Sequence, residues 1–161
     1  MKKFYFLMTI VLMAMMSLSL TSCGDDDDDD FKTTTGKETI AVHKIKITVS
    51  GRPDLFKWKA NFTGMTMAGN ASVPSNVYDE DGNVIEVVEN FSQVTAQTDK
   101  NGSMMAAAMV VTDFDEGNTG EVTINFEGWI GGKRTNSKTV TIKAGEQKAH
   151  ALSFTTIPLD D

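Results

Sequence analysis

His43 and His150 are the only imidazoles in the chain, and Cys23 is its only thiol. Nucleophilic catalysis needs a base within hydrogen-bond reach of a Ser, Thr or Cys. No His-x-Glu, Glu-x-x-His or Gly-x-Ser-x-Gly arrangement supplies one. A zinc site wants three or four His, Cys or carboxylate ligands, and two histidines far apart in sequence are a poor start. His150 is in register with Leu152 and Phe154, so it is expected to pack at a strand end. His43 precedes an alternating segment and is also read as structural. Calcium is the better metal option, because hard cations take six to eight oxygens. Asp79, Asp81 and Asn83 place oxygens at alternate positions around Gly82. Asp113, Asp115, Glu116 and Asn118 make a second oxygen-rich loop. Neither loop has the twelve-residue EF-hand pattern, and an ordinary hairpin is the simpler reading of both. Most other acids fall in turns, where acids are common, so a carboxylate pair for glycoside hydrolysis has little support. The glycines from Gly128 to Gly132 lack the strand-to-helix setting of a phosphate loop. No cofactor is expected.

Trp129 stands apart from the other aromatics. Val122, Ile124, Phe126 and Ile130 belong to one strand face. Trp129 falls with Thr123, Asn125 and Glu127 on the other. An outward Trp beside a glycine turn can stack on a sugar ring or anchor a protein partner. The competing expectation is a bulge at Gly128 that tucks the ring inward, or an outer face that is itself covered. Trp58, by contrast, alternates with lysines and is expected in the core.

These residues are positioned by strands and turns. Ile45, Ile47 and Val49 alternate with lysine and threonine. Phe56, Trp58, Ala60 and Phe62 alternate with Lys57, Lys59, Asn61 and Thr63, the pattern of a strand with one buried face. Gly64 to Tyr78 is looser. Asp81-Gly82 signals a hairpin of type I′, and Asp99 to Gly102 is a second turn of the same chemistry. Val84–Val88 and Phe91–Thr98 are strand candidates. Met104–Val111 is an apolar run whose three alanines would also suit a helix, but its length and the flanking turns favour a strand buried on both faces. Val122–Phe126, Val140–Ile142 and a last strand through Leu152 and Phe154 complete the set, with turns at Gly131-Gly132 and Lys143–Glu146. The expected fold is all-β: an antiparallel sandwich of roughly seven to nine strands, immunoglobulin-like or related. The ending from Lys138 to Phe154 resembles the last hairpin of many bacterial immunoglobulin-like modules.

The chain opens with Lys2 and Lys3, an apolar run from Phe4 to Leu20, and Thr21-Ser22 before Cys23. That is the layout of a secretory signal. Leu20-Thr21-Ser22-Cys23 resembles the bacterial lipobox. The resemblance implies cleavage before Cys23 and acylation of that cysteine. Asp25–Asp30 then follow, and a lipidated cysteine beside an acidic cluster resembles the export signal of Bacteroidota surface lipoproteins. The implied location is the outer membrane, lipid-anchored, with the domain facing outside. The division is 1–22 signal peptide, 23–37 lipidated acidic tether and 38–161 sandwich domain.

The whole chain has 15 basic and 22 acidic side chains. Loss of Lys2 and Lys3 with the leader leaves 13 against 22, a formal charge of −9, of which Asp25–Asp30 supply −6. The domain is thus close to neutral, with no basic footprint for nucleic acid and no polybasic patch for a membrane surface. The expected role is non-catalytic: a cell-surface module for adhesion or for binding an extracellular glycan or protein. The alternatives are a glycan-binding accessory component of a polysaccharide-uptake system, and a structural or assembly subunit of a surface structure.

Overall fold

The computed structural model describes residues 40–52, 55–113, 119–145 and 149–157. Among the described residues nine strands form: β1 (His43–Gly51), β2 (Phe56–Ala68), β3 (Ala71–Ser75), β4 (Val87–Glu89), β5 (Gln93–Gln97), β6 (Gly102–Asp113), β7 (Glu121–Ile130), β8 (Lys133–Lys143) and β9 (Ala149–Thr155). They build two antiparallel sheets packed as a β-sandwich. The first has the order β5-β1-β7-β8 and the second β3-β2-β6-β9, with β4 also pairing β2.

Period-two alternation builds the core, because successive side chains of a strand point to opposite faces. From the first sheet come Ile45, Ile47, Val49, Val122, Ile124, Phe126 and Ile142; from the second come Phe56, Trp58, Ala60, Phe62, Met105, Ala107, Met109, Val111 and Phe154. Burying each large side chain contributes about 1.5–3 kcal/mol. Phe126 and Phe154, one from each sheet, stack with centroids 5.4 Å apart and planes 20° from parallel. Trp58 is buried as expected, its indole N–H donating to the Phe91 carbonyl at 2.9 Å.

The central strand β6 is the one whose apolar run promised burial on both faces. Met105, Ala107, Met109 and Val111 point into the core, and Ala108 and Val110 are also buried although they point outward. Met104 and Ala106 are only half-buried.

Two local readings need correction. Gly64–Tyr78 is not one loose segment. β2 runs on to Ala68, and a two-residue turn at Gly69-Asn70 returns it as β3, with Ala68 opposite Ala71. Met67 and Ser72 are weak strand signals, which hid the hairpin. The turn at Asp79 is not type I′, since that type needs positive φ at both central residues. Here Gly82 has φ 85° and Asp81 is not in the positive region. The Gly82 N–H donates to the Asp79 carbonyl at 3.2 Å, so a type I turn closes and Gly82 follows in the left-handed region. The turn pairs Tyr78 with Val84 as a single bridge rather than two long strands. The Gly131-Gly132 turn does have the primed geometry, with φ 57° and 81°.

One side of the sandwich is closed by side chains. β9 pairs only β6, so carbonyls along its other edge are open to pairing. The Asn136 amide on β8 donates to the Thr155 carbonyl at 2.7 Å, and the Lys138 ammonium to the Ser153 carbonyl at 3.4 Å. Gly128 makes room for this: a Cβ there would lie 2.1 Å from Asn136 Oδ1.

Candidate functional site

The outward face of the first sheet is the candidate site. Its rows follow from the register. Lys44 of β1 lies opposite Trp129 of β7, and Trp129 opposite Arg134 of β8. In the next row Thr95, Lys46, Glu127 and Ser137 cross β5, β1, β7 and β8. The third contains Gln93, Thr48, Asn125 and Thr139. Directly opposite side chains in such a sheet have Cβ atoms about 4.5–5.5 Å apart, so each row is a line of neighbours.

Trp129 is half-buried and faces outward with Thr123, Asn125 and Glu127. A bulge does occur beside it, but the extra residue is Thr135 on β8, because Gly128 pairs Asn136 and Trp129 pairs Arg134. Against β1 the alternation of β7 is unbroken, with Ile45 opposite Gly128 and Lys44 opposite Trp129. The bulge therefore moves Arg134 toward the ring without turning Trp129 inward.

The polar groups of this face hold one another. Arg134 Nη1 lies 3.0 Å from Glu127 Oε1. Thr139 donates to Asn125 Oδ1 at 3.0 Å, and the Thr123 and Thr141 hydroxyls are 3.2 Å apart. Lys44 and Lys46 form no ion pair among the described residues. The face thus presents one aromatic plane, two cations without an acidic partner and a field of hydroxyls and amides.

The other candidates lie elsewhere. His43 is fully buried, its backbone N–H donating to Thr98 Oγ1 at 3.0 Å and its Nδ1 lying 2.7 Å from Thr156 Oγ1. His150 is half-buried opposite Val111, with Nε2 shielded from solvent and lacking a hydrogen-bond partner. Thr156, the partner of His43, donates its backbone N–H to Met105. Six residues of β6 separate Met105 from Val111, about 20 Å of strand. The two imidazoles therefore stand at opposite ends of the sandwich.

In the first oxygen-rich loop, Asp79 Oδ1 accepts the backbone N–H groups of Asp81 and Asn83 at 3.0 and 2.8 Å. The Asn83 amide donates to both carboxylate oxygens, at 3.3 and 3.1 Å. These bonds, that of the Asn83 side chain first, hold the Asp79 carboxyl below its ordinary pKa. Its oxygens already stabilise the turn. In the second loop, Asp113 Oδ2 accepts the Gly145 N–H at 2.9 Å. Asp115 and Asn118 lie outside the described residues, as does Cys23. Among the described residues, no three His, Cys, Asp or Glu side chains cluster in a way that could hold a metal ion.

No family model matches this chain, and no curated protein matches it. Solved structures do share its fold. A crystal structure of a DUF4425 family protein from Bacteroides ovatus has a TM-score of 0.67 and 25% identity, covering 76% of this chain and 100% of that one. A DUF4425 domain of unknown function from Bacteroides vulgatus has a TM-score of 0.64 and 22% identity, covering 75% and 98%. A protein from Parabacteroides distasonis, solved in a calcium-bound form, has a TM-score of 0.54 and 16% identity, covering 81% and 99%. The chain is similar to β-rich proteins of Bacteroidota.

Two flanking residues went unnoticed in the sequence. Arg134 was within reach, because a two-residue turn at Gly131-Gly132 sets Ile130 opposite Lys133 and Trp129 opposite Arg134. Lys44 was not, because nothing local says that β1 pairs β7.

Proposed function

We propose that this chain is a non-catalytic surface lipoprotein: an immunoglobulin-like sandwich, anchored in the outer membrane through Cys23, that binds an extracellular macromolecule. The observation that carries the binding role is Trp129, an aromatic plane on an outward sheet face among hydroxyl, amide and lysine side chains. Adhesion and glycan capture for an uptake system both use such a face. The wide separation of the two imidazoles supports the non-catalytic reading. The first test exposes the full chain in detergent to arrays of polysaccharides and extracellular proteins, followed by Trp129→Ala. Binding that drops at least tenfold on substitution, as for a buried aromatic anchor, is the expected result. Turnover of any polysaccharide or peptide would overturn the non-catalytic reading. Radiolabelled palmitate appearing in the wild-type chain, and not in Cys23→Ser, tests the anchor.

A second reading concerns calcium, because one structural neighbour is described as calcium-bound. Asp113, Asp115 and Asn118 would supply the oxygens. Calcium would then raise the melting temperature and a chelator would reverse the rise. Binding at a hundredfold excess over Kd stabilises by about 2.7 kcal/mol. No shift at millimolar calcium would dismiss it.

A further inference from the structure

We infer that the Trp129 face takes an anionic glycan, a polysaccharide carrying carboxylate or sulfate groups; this rests on the binding role proposed above. Charge is divided unequally between the sheets. The strands of the first carry Lys44, Lys46, Lys133, Arg134, Lys138 and Lys143 against only Glu121 and Glu127. Those of the second are balanced, with Lys57 and Lys59 against Glu89 and Asp113. The positive sheet belongs to a chain that is acidic overall, so the asymmetry is local.

Both acids of the first sheet have cationic neighbours. Glu127 is held by Arg134 at 3.0 Å, and Glu121 lies opposite Lys143. Lys46 is also a cross-strand neighbour of Glu127, yet it forms no ion pair with it. Lys44 and Lys46 therefore leave net positive charge beside the aromatic plane. Lys44, Trp129 and Arg134 lie in one row on three adjacent strands. With strands about 4.8 Å apart, the two cations flank the ring over about 10 Å. A sugar stacked on Trp129 would carry its acidic substituents toward one or the other.

The surrounding chemistry favours a polyol over the alternatives. Thr48, Asn125, Thr123, Thr139 and Thr141 place hydroxyl and amide groups in register across the sheet. Protein hot spots cluster Trp, Tyr and Arg and are poor in Ser and Thr, whereas here a single Trp129 lies among threonines. Single-stranded nucleic acids are read by successive aromatics on which bases stack. One ring does not make that ladder.

The test is affinity electrophoresis and calorimetry on the full chain in detergent. The probes are polygalacturonate and chondroitin sulfate, with neutral dextran and a dT oligonucleotide for comparison. The acidic glycans should bind, and more weakly as salt rises. Removing two half-buried charges in a Lys44→Gln, Lys46→Gln double variant should weaken them about three- to tenfold. Trp129→Ala should weaken them at least tenfold. The double variant changes only outward side chains of β1, so it remains informative if Trp129→Ala folds poorly. Dextran binding as tightly as the acidic glycans, without salt dependence, would overturn the anionic inference and leave the binding role standing. Binding that prefers dT would overturn the choice of glycan. No binding to any probe would overturn the inference, while capture of a protein on the arrays would still sustain the broader role.

Discussion

The two outward faces of the sandwich obey the same alternation and end in different chemistry. On the first sheet the outward positions hold Trp129, lysines, threonines and amides. On the second, the centre is Ala106, Ala108 and Val110 of β6, with Ala149, Ala151 and Ser153 alongside on β9. Ala108 and Val110 are only 5% and 3% exposed. Their short side chains stand between longer neighbours such as Lys59 and Asn61 and lose their water. The long polar side chains of the first sheet keep theirs and reach outward. Outward direction alone therefore does not make a binding face; side-chain length and hydrogen-bonding capacity decide which sheet has one.

Five substitutions test that contrast, ordered by size. Phe126→Ala removes the ring that joins the two sheets and should cost about 3–5 kcal/mol in urea denaturation. A cost below 1 kcal/mol would mean that the stacked pair with Phe154 does not hold the sheets together. Gly128→Ala should cost about 1–3 kcal/mol, because its Cβ expels the Asn136 amide and breaks the bond to Thr155. Asn136→Ala should reproduce much of that loss. The faces themselves separate next. Val110→Thr places a hydroxyl where the second sheet has no water and should cost about 1–2 kcal/mol. Thr139→Val, on the exposed edge of the first, should stay within about 0.5 kcal/mol. Equal costs would erase the distinction between faces.

The smallest effect is a pH effect at the Asp79 turn. The Asp79 pKa is lowered in the fold, so the turn's hydrogen bonds are fully present above the unfolded-state pKa. They are lost as pH falls through the folded value. The amide resonances of Asp81 and Asn83 should therefore move in strong acid and stay fixed near neutrality. In Asp79→Asn the same resonances should not titrate.

Much of this was legible in the sequence, and the failures have physical causes. The alternations at Ile45–Val49, Phe56–Phe62 and Val122–Phe126 gave both strands and inward residues, because burial of one face imposes period two. The outward placement of Trp129 followed from the same rule. The β2–β3 hairpin was missed because Met65, Thr66 and Met67 are half-buried and show no clean alternation. At Asp81-Gly82 the dipeptide was right and the turn type wrong. The Asp79 side chain caps the turn, a competition that a two-residue signal does not contain. Strand partnership was the largest gap. Lys44 and Trp129 are 85 positions apart, and only tertiary pairing makes them neighbours.

The contacts from Asn136 and Lys138 to β9 have a consequence beyond this single molecule. Anchored as proposed through Cys23, the protein would work at high local concentration, confined to a plane with its copies. An open strand edge there is an invitation to edge-on fusion between neighbours. Two side chains from the opposing sheet occupy those carbonyls first. The lysines and arginine of β8 put like charge along its own edge. Both features would let many copies share a crowded surface while each remains separate and keeps its outward face unobstructed.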